Sequence, residues 1–170
     1  MKRIVLILTA LLWLSYGMAQ PDACQEGWKQ LFLRSRQLHE VQSDFVQTRT
    51  VSFLASPEVQ RGHLSFKSPY LIRWTYADAE SNAAASPHVT SIVQSWLKGD
   101  TASLDKSFTQ SCTEFEGDGW LQLIPKDRRL KPYIQHILLK INTRGDVIEV
   151  YVLEKSGDNT RIQMRNMKCY

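Results

Sequence analysis

Catalytic signatures are absent from this sequence. Its four histidines, His39, His63, His88 and His136, stand apart, with no HExxH, no pair on one helix face and no Cys-His signature. No G-x-S-x-G marks a nucleophile elbow, and no glycine-rich loop is present to cradle phosphate. Cys24, Cys112 and Cys169 are too widely spaced for a metal knuckle. There is no internal repeat, no low-complexity tract and no alternation of strand and helix of the kind that builds a parallel sheet. One catalytic fragment does occur, because Ser103 and Lys106 match S-x-x-K, the nucleophile motif of some acyl-transfer enzymes. Neither an SDN nor a KTG element accompanies it, and two fixed positions recur by chance. The expectation is a protein that is not an enzyme and needs neither cofactor nor metal.

Long apolar runs are also scarce, with one exception at the start, "MKRIVLILTALLWLSYGMAQ". Lys2 and Arg3 form a basic region, Ile4 to Leu14 an apolar one, and Gly17-Met18-Ala19 a small-x-small cleavage site. This is the layout of a secretory leader, too short and too abruptly ended for a membrane span. Cleavage after Ala19 is expected, with residues 20–170 forming one exported, periplasmic domain. Removing 19 of 170 residues leaves 151, enough for one core and too few for two. The leader holds two of the 21 basic residues and none of the 17 acidic ones, so the balance left is +2. An excess of one sign is therefore nearly absent, and nucleic acid is not an expected partner. Lys126 to Lys131, "KDRRLK", is the one basic cluster, read as a solvated turn ahead of an anionic membrane contact. In an oxidising compartment two of the three cysteines can pair, with the pairing open.

What is present is strand pattern. Cys24 to Val41 reads as a helix, with Trp28, Leu31, Phe32 and Leu38 on one stripe. Val41 to Leu54 reads as a strand, Val59 to Lys67 as a second and Tyr70 to Tyr76 as a third, joined by Ser-Pro turns into an antiparallel meander. "ADAESNAAASPH" has no period and reads as a loop. Val89, Ile92, Val93 and Trp96 then fall at the spacing of a second, short helix. Phe108 to Phe115, Trp120 to Ile124, Ile134 to Ile141, Val147 to Leu153 and Thr160 to Met167 read as strands. "EGDG", "NTRGD" and "KSGDN" separate them as hairpin turns. The tripeptide Arg144-Gly145-Asp146 is read as part of such a turn rather than as an adhesion signal. About eight strands and two helices give an antiparallel α+β fold. The sheet is large for two helices, which are joined to it with no obvious anchor, so a loose lid over an apolar cavity is expected.

"VQSDFVQTRT", "RGHLSFKSPYLIRWTY", "LQLIPKD" and "GDVIEVYVLEKSGDNTRIQMRNMK" resemble, in order and spacing, the LolA family of periplasmic lipoprotein carriers. The resemblance spans about Val41 to Lys168, and its most specific piece is Gly62 to Tyr76. It implies a strongly curved antiparallel sheet, an incomplete barrel covered by about two helices, holding acyl chains inside. By position, Phe45, Leu64, Phe66, Ile72, Trp74 and Tyr76 would line that cavity, with Ile92 and Trp96 aimed in from the lid helix. The implied partners are acylated lipoproteins or other lipids, an inner-membrane release complex and an outer-membrane acceptor, met as a monomer. Ser68 stands where the family has an arginine that latches the lid, and "ADAESNAAASPHV" replaces two strands around a turn. A carrier of this kind needs no chemistry. A triacylated lipoprotein carries on the order of 30 kcal/mol of apolar surface that cannot cross water unaided. The alternatives are a related module for another lipid or glycolipid, a structural envelope protein whose aromatic face is plain core, and a hydrolase using Ser103 and Lys106.

Overall fold

The computed structural model describes residues 23–35, 37–68, 71–77, 93, 95 and 101–170. Helix α1 spans Ala23–Ser35, and the strands are β1 (Glu40–Thr50), β2 (Glu58–Lys67), β3 (Leu71–Tyr76), β4 (Phe108–Phe115), β5 (Asp118–Pro125), β6 (Ile134–Ile141), β7 (Val147–Glu154) and β8 (Asn159–Cys169). A second helix, α2, runs from Thr101 to Ser107 and leads directly into β4. Among the described residues the eight strands form one antiparallel, unclosed sheet in the order β3-β2-β1-β8-β7-β6-β5-β4, with no described strand pairing either end. This is the α+β architecture expected from the strand pattern.

Alternation along each strand decides which face is buried. Leu121 faces Leu139 and Leu139 faces Val150; Val150 in turn faces Ile162. On the other half Met164 faces Phe45, Phe45 faces Gly62 and Gly62 faces Tyr76. The side chains that share this face form one hydrophobic cluster. One helix covers part of it: α1 packs on β5 and β6.

The turns follow from residue chemistry. Glu116 and Gly117 both take positive φ, 52° and 79°, as a two-residue hairpin with the right twist requires. Gly145 has φ 82° and lies so close to α1 that an added Cβ would sit 2.7 Å from the backbone carbon of Gln30. Only glycine allows both conditions.

Several sequence expectations shift. The first helix stops at Ser35 rather than Val41, because Gln37 N–H donates to Arg34 O and Leu38 N–H to Ser35 O, closing the chain into a turn. The first strand ends at Thr50 rather than Leu54: Ser52 N–H donates to Asp158 Oδ1 and Leu54 N–H to Val51 O. The helix α2 carries no periodic apolar signal, and among its described side chains Leu104 alone is buried. Of the helix expected over 89–97, residues 93 and 95 are helical and the rest lies outside the described residues.

Candidate apolar binding site

The β1–β2–β3 meander brings together six of the expected cavity residues. Phe45, Leu64 and Phe66 are each 1 % exposed, within the core. Ile72, Trp74 and Tyr76 lie on the edge strand β3, half-buried and packed against that core. Leu64 pairs with Trp74 and Phe66 with Ile72, so strand register fixes the adjacency. Phe45 meets the rings of Trp74 and Tyr76 edge-on at centroid distances of 5.0 and 5.2 Å, a favoured aromatic geometry. Ile92 and Trp96 lie outside the described residues.

Two polar groups interrupt this face. Gln47 is buried in β1, and its side-chain oxygen accepts a 3.2 Å hydrogen bond from the Tyr76 hydroxyl. Burial pushes the Tyr76 phenol pKa above its ordinary value, so the hydroxyl stays a donor. Trp74 Nε1 is buried and, among the described residues, finds no hydrogen-bond partner. An indole N–H without a partner is a cost to folding that a ligand oxygen could remove.

An apolar cavity lies between the end of α1 and the β1–β8 pair, lined by Leu31, Leu38, Val41, Leu64, Met164 and Met167 among others. Its volume is about 30 Å³, the share of a single water molecule. Ligand pockets run to roughly 300–1,000 Å³, so the site is closed in this conformation.

Of the two helices expected to cover the sheet without an anchor, α1 is corrected here, being fixed at both ends. The lid helix expected over 89–97 lies outside the described residues except for 93 and 95. Cys24 near the start of α1 forms a disulfide with Cys112 on β4. At its other end Arg34 Nε lies 2.8 Å from Asp146 Oδ1, and that Asp146 side chain is only 3 % exposed. Asn142 Nδ2 donates to Asp146 Oδ2 at 3.0 Å and Arg144 Nε lies 3.2 Å from it. The Asp146 carboxylate is thus enclosed by its own turn and cannot be offered to an adhesion receptor. Cys169 is the remaining thiol, half-buried beside Asp146; burial raises its pKa, which keeps it protonated and unreactive.

Ser103 and Lys106 both lie exposed on α2, and neither lines this cavity. Among the described residues no three His, Cys, Asp or Glu side chains are grouped to hold a metal. No helix among the described residues is long and apolar enough to cross a membrane.

No family model matches the chain and no curated protein matches it. Among solved structures the chain is similar to a DUF1329 family protein from Desulfovibrio piger, at 11 % identity over 87 % of this chain and 93 % of that one, with a TM-score of 0.37. It is also similar to a LolA superfamily protein from Nitrosomonas europaea, at 9 % identity over 86 % and 93 %, with a TM-score of 0.36. A putative outer membrane lipoprotein-sorting protein domain from Vibrio parahaemolyticus follows, at 8 % identity over 84 % and 93 %, with a TM-score of 0.32. At these identities and TM-scores the likeness carries no argument about this chain.

Proposed function

We propose that the chain is an exported carrier that binds the acyl chains of lipoproteins against the covered face of its sheet and shuttles them between the inner and outer membranes. One observation carries the reading. The apolar face continues to a sheet edge that no other described strand pairs, where Ile72, Trp74 and Tyr76 are left half-buried around Phe45. A core meant only for packing gains nothing by leaving large aromatics at an open margin. The two methionines of the cavity wall, Met164 and Met167, have unbranched side chains that repack readily around an irregular guest. The partners this reading calls for are acylated lipoproteins, a complex that releases them and an acceptor that receives them.

A second reading, a structural envelope protein with an ordinary core, is favoured by the small volume of the cavity, about 30 Å³. Native mass spectrometry of protein purified from its own compartment without detergent separates the two. Adducts at the masses of acylated species support the carrier. A clean protein mass, unchanged after incubation with lipoprotein-bearing membranes, supports the structural protein. Ile72→Glu provides the matching mutation, since Ile72 is half-buried on an edge strand. It is expected to remain secreted and soluble while losing uptake of a fluorescent fatty acid by tenfold or more. An insoluble product would show instead that Ile72 is core.

A further inference from the structure

The outer face of the sheet divides into two electrostatic halves. Toward β4–β7 its cations are paired: Lys140 with Asp118, and Arg161 with Glu116 at 2.6 Å and with Glu149 at 3.2 Å. Toward β3 the permanent cations are not paired with any described residue. Strand register sets Arg73, Ser65, Gln42 and Lys168 in one row. Thr75, His63, Asp44 and Arg165 form the next row, and Arg61, Val46 and Gln163 the one after. Neighbouring strands are about 4.8 Å apart, so four permanent cations and a histidine share a patch some 15 Å across. Asp44 is the one acid in these three rows, and both of its oxygens are occupied. His63 Nδ1 lies 3.1 Å from Oδ1, and Asn166 Nδ2 donates to Oδ2 at 2.9 Å. Those two hydrogen bonds, the Asn166 one foremost, hold the Asp44 carboxyl below its usual pKa. With Nδ1 turned to Asp44, His63 has Nε2 left for a ligand.

The same residues surround a cleft. A bulge between Gln42 and Asp44 breaks the β1–β8 register, with Asn166 at φ 52° and Ser43 Oγ donating to Arg165 O at 2.9 Å. The cleft beside it has a volume of about 470 Å³ and is lined by Asp44, Arg61, His63, Arg165 and Asn166 on its polar side and by Phe45 and Tyr76 where it meets the apolar site. None of Arg61, Arg73, Arg165 or Lys168 makes a side-chain ion pair with the described residues. Guanidinium groups bind phosphate through two parallel N–H donors, which a cleft holding two arginines can present together.

We propose that this face docks on an anionic phospholipid bilayer, with lipid phosphates seated between Arg61, His63 and Arg165. Arg73 and Lys168 extend the positive surface beyond the cleft, so several phosphates are met at once, as a bilayer offers and a single small anion does not. The proposal does not depend on the carrier reading: its cations alternate onto the face opposite Leu64, Phe66 and Trp74, although the cleft also reaches Phe45 and Tyr76 of the apolar site.

The test is co-sedimentation of the mature protein with phosphatidylglycerol–phosphatidylcholine vesicles and with pure phosphatidylcholine vesicles, at low salt. Binding is expected to the first alone and to weaken as salt is raised. Arg61→Ala/Arg165→Ala is expected to weaken it about thirtyfold, near fivefold for each arginine. Lys131→Ala/Lys155→Ala removes the same charge from the β5–β6 connection and the β7–β8 turn, and is expected to change binding less than about threefold. Thermal melts of both variants check that each remains folded. Three results would overturn the proposal: no binding to the anionic vesicles, equal losses in both double variants, or complete competition by millimolar inorganic phosphate. The second would reduce the effect to net charge, and the third would make the cleft a site for a free anion.

Discussion

Gly62 is the residue on which the aromatic end of the site depends. A Cβ at this position would lie 2.3 Å from Thr75 O, 2.6 Å from Phe45 Cζ and 2.8 Å from Phe45 Cε1. The missing side chain is therefore the space that the Phe45 ring fills, and that ring in turn places Trp74 and Tyr76. The obstacle includes a backbone oxygen of the neighbouring strand, which cannot rotate away as a flexible side chain would. Gly62→Ala is expected to cost about 2–3 kcal/mol, at the upper end of overpacking effects. It should also shift the Trp74 fluorescence, because the ring beside it must move. A urea titration gives the first quantity, and an unchanged midpoint would mean the β2–β3 pair relaxes around the new methyl. Glycine here was legible as part of a motif, "RGHLSF", but its reason was not. The atom it makes room for belongs to another strand.

At the scale of elements, α1 is a strut fixed at both ends. The Cys24–Cys112 link closes a loop of 88 residues, and constraining the unfolded chain to that extent is worth about 4 kcal/mol. The second attachment joins the buried Asp146 carboxylate to Arg34, whose side chain is 33 % exposed, so removing Asp146 costs less than the ~3–5 kcal/mol of a fully buried pair. Cys24→Ser/Cys112→Ser and Asp146→Ala are each expected to lower the melting temperature by several degrees. The Asp146→Ala protein should still form its disulfide, since the two attachments lie at opposite ends of the helix. A Cys24–Cys112 bond lost along with Asp146 would show instead that the turn is needed to place the helix. Neither attachment could be read from the sequence, because each joins residues far apart along the chain. The strands were legible for the converse reason: Glu116-Gly117, Gly145 and Gly157 supply local turn conformations at positive φ, and pairing follows from them. The helix α2 went unread because seven residues, with Leu104 alone buried among the described side chains, carry no period.

For the molecule as a whole, a strut fixed at both ends decides where a guest can enter. A cavity of about 30 Å³ must widen roughly tenfold to admit an acyl chain, so one of its walls has to move. The α1 wall is held by a covalent bond and by the ion pair of half-buried Arg34 with buried Asp146. The opposite wall carries Leu64 of β2, and β3 beyond it, with half-exposed side chains, is hydrogen-bonded among the described residues to β2 alone. Local opening follows the least protected element, which is an edge strand with few partners. If the chain is a carrier, uptake therefore proceeds from the β3 side with the disulfide intact. Stopped-flow uptake of a fluorescent fatty acid is expected to run within about threefold of the same rate in the oxidised protein and in Cys24→Ser/Cys112→Ser, assayed below the variant's melting temperature. A substitution that stiffens the edge should slow both proteins alike. If only the variant without the disulfide takes up the probe, α1 has to lift for entry, and the covalent bond would then be a lock on the cavity.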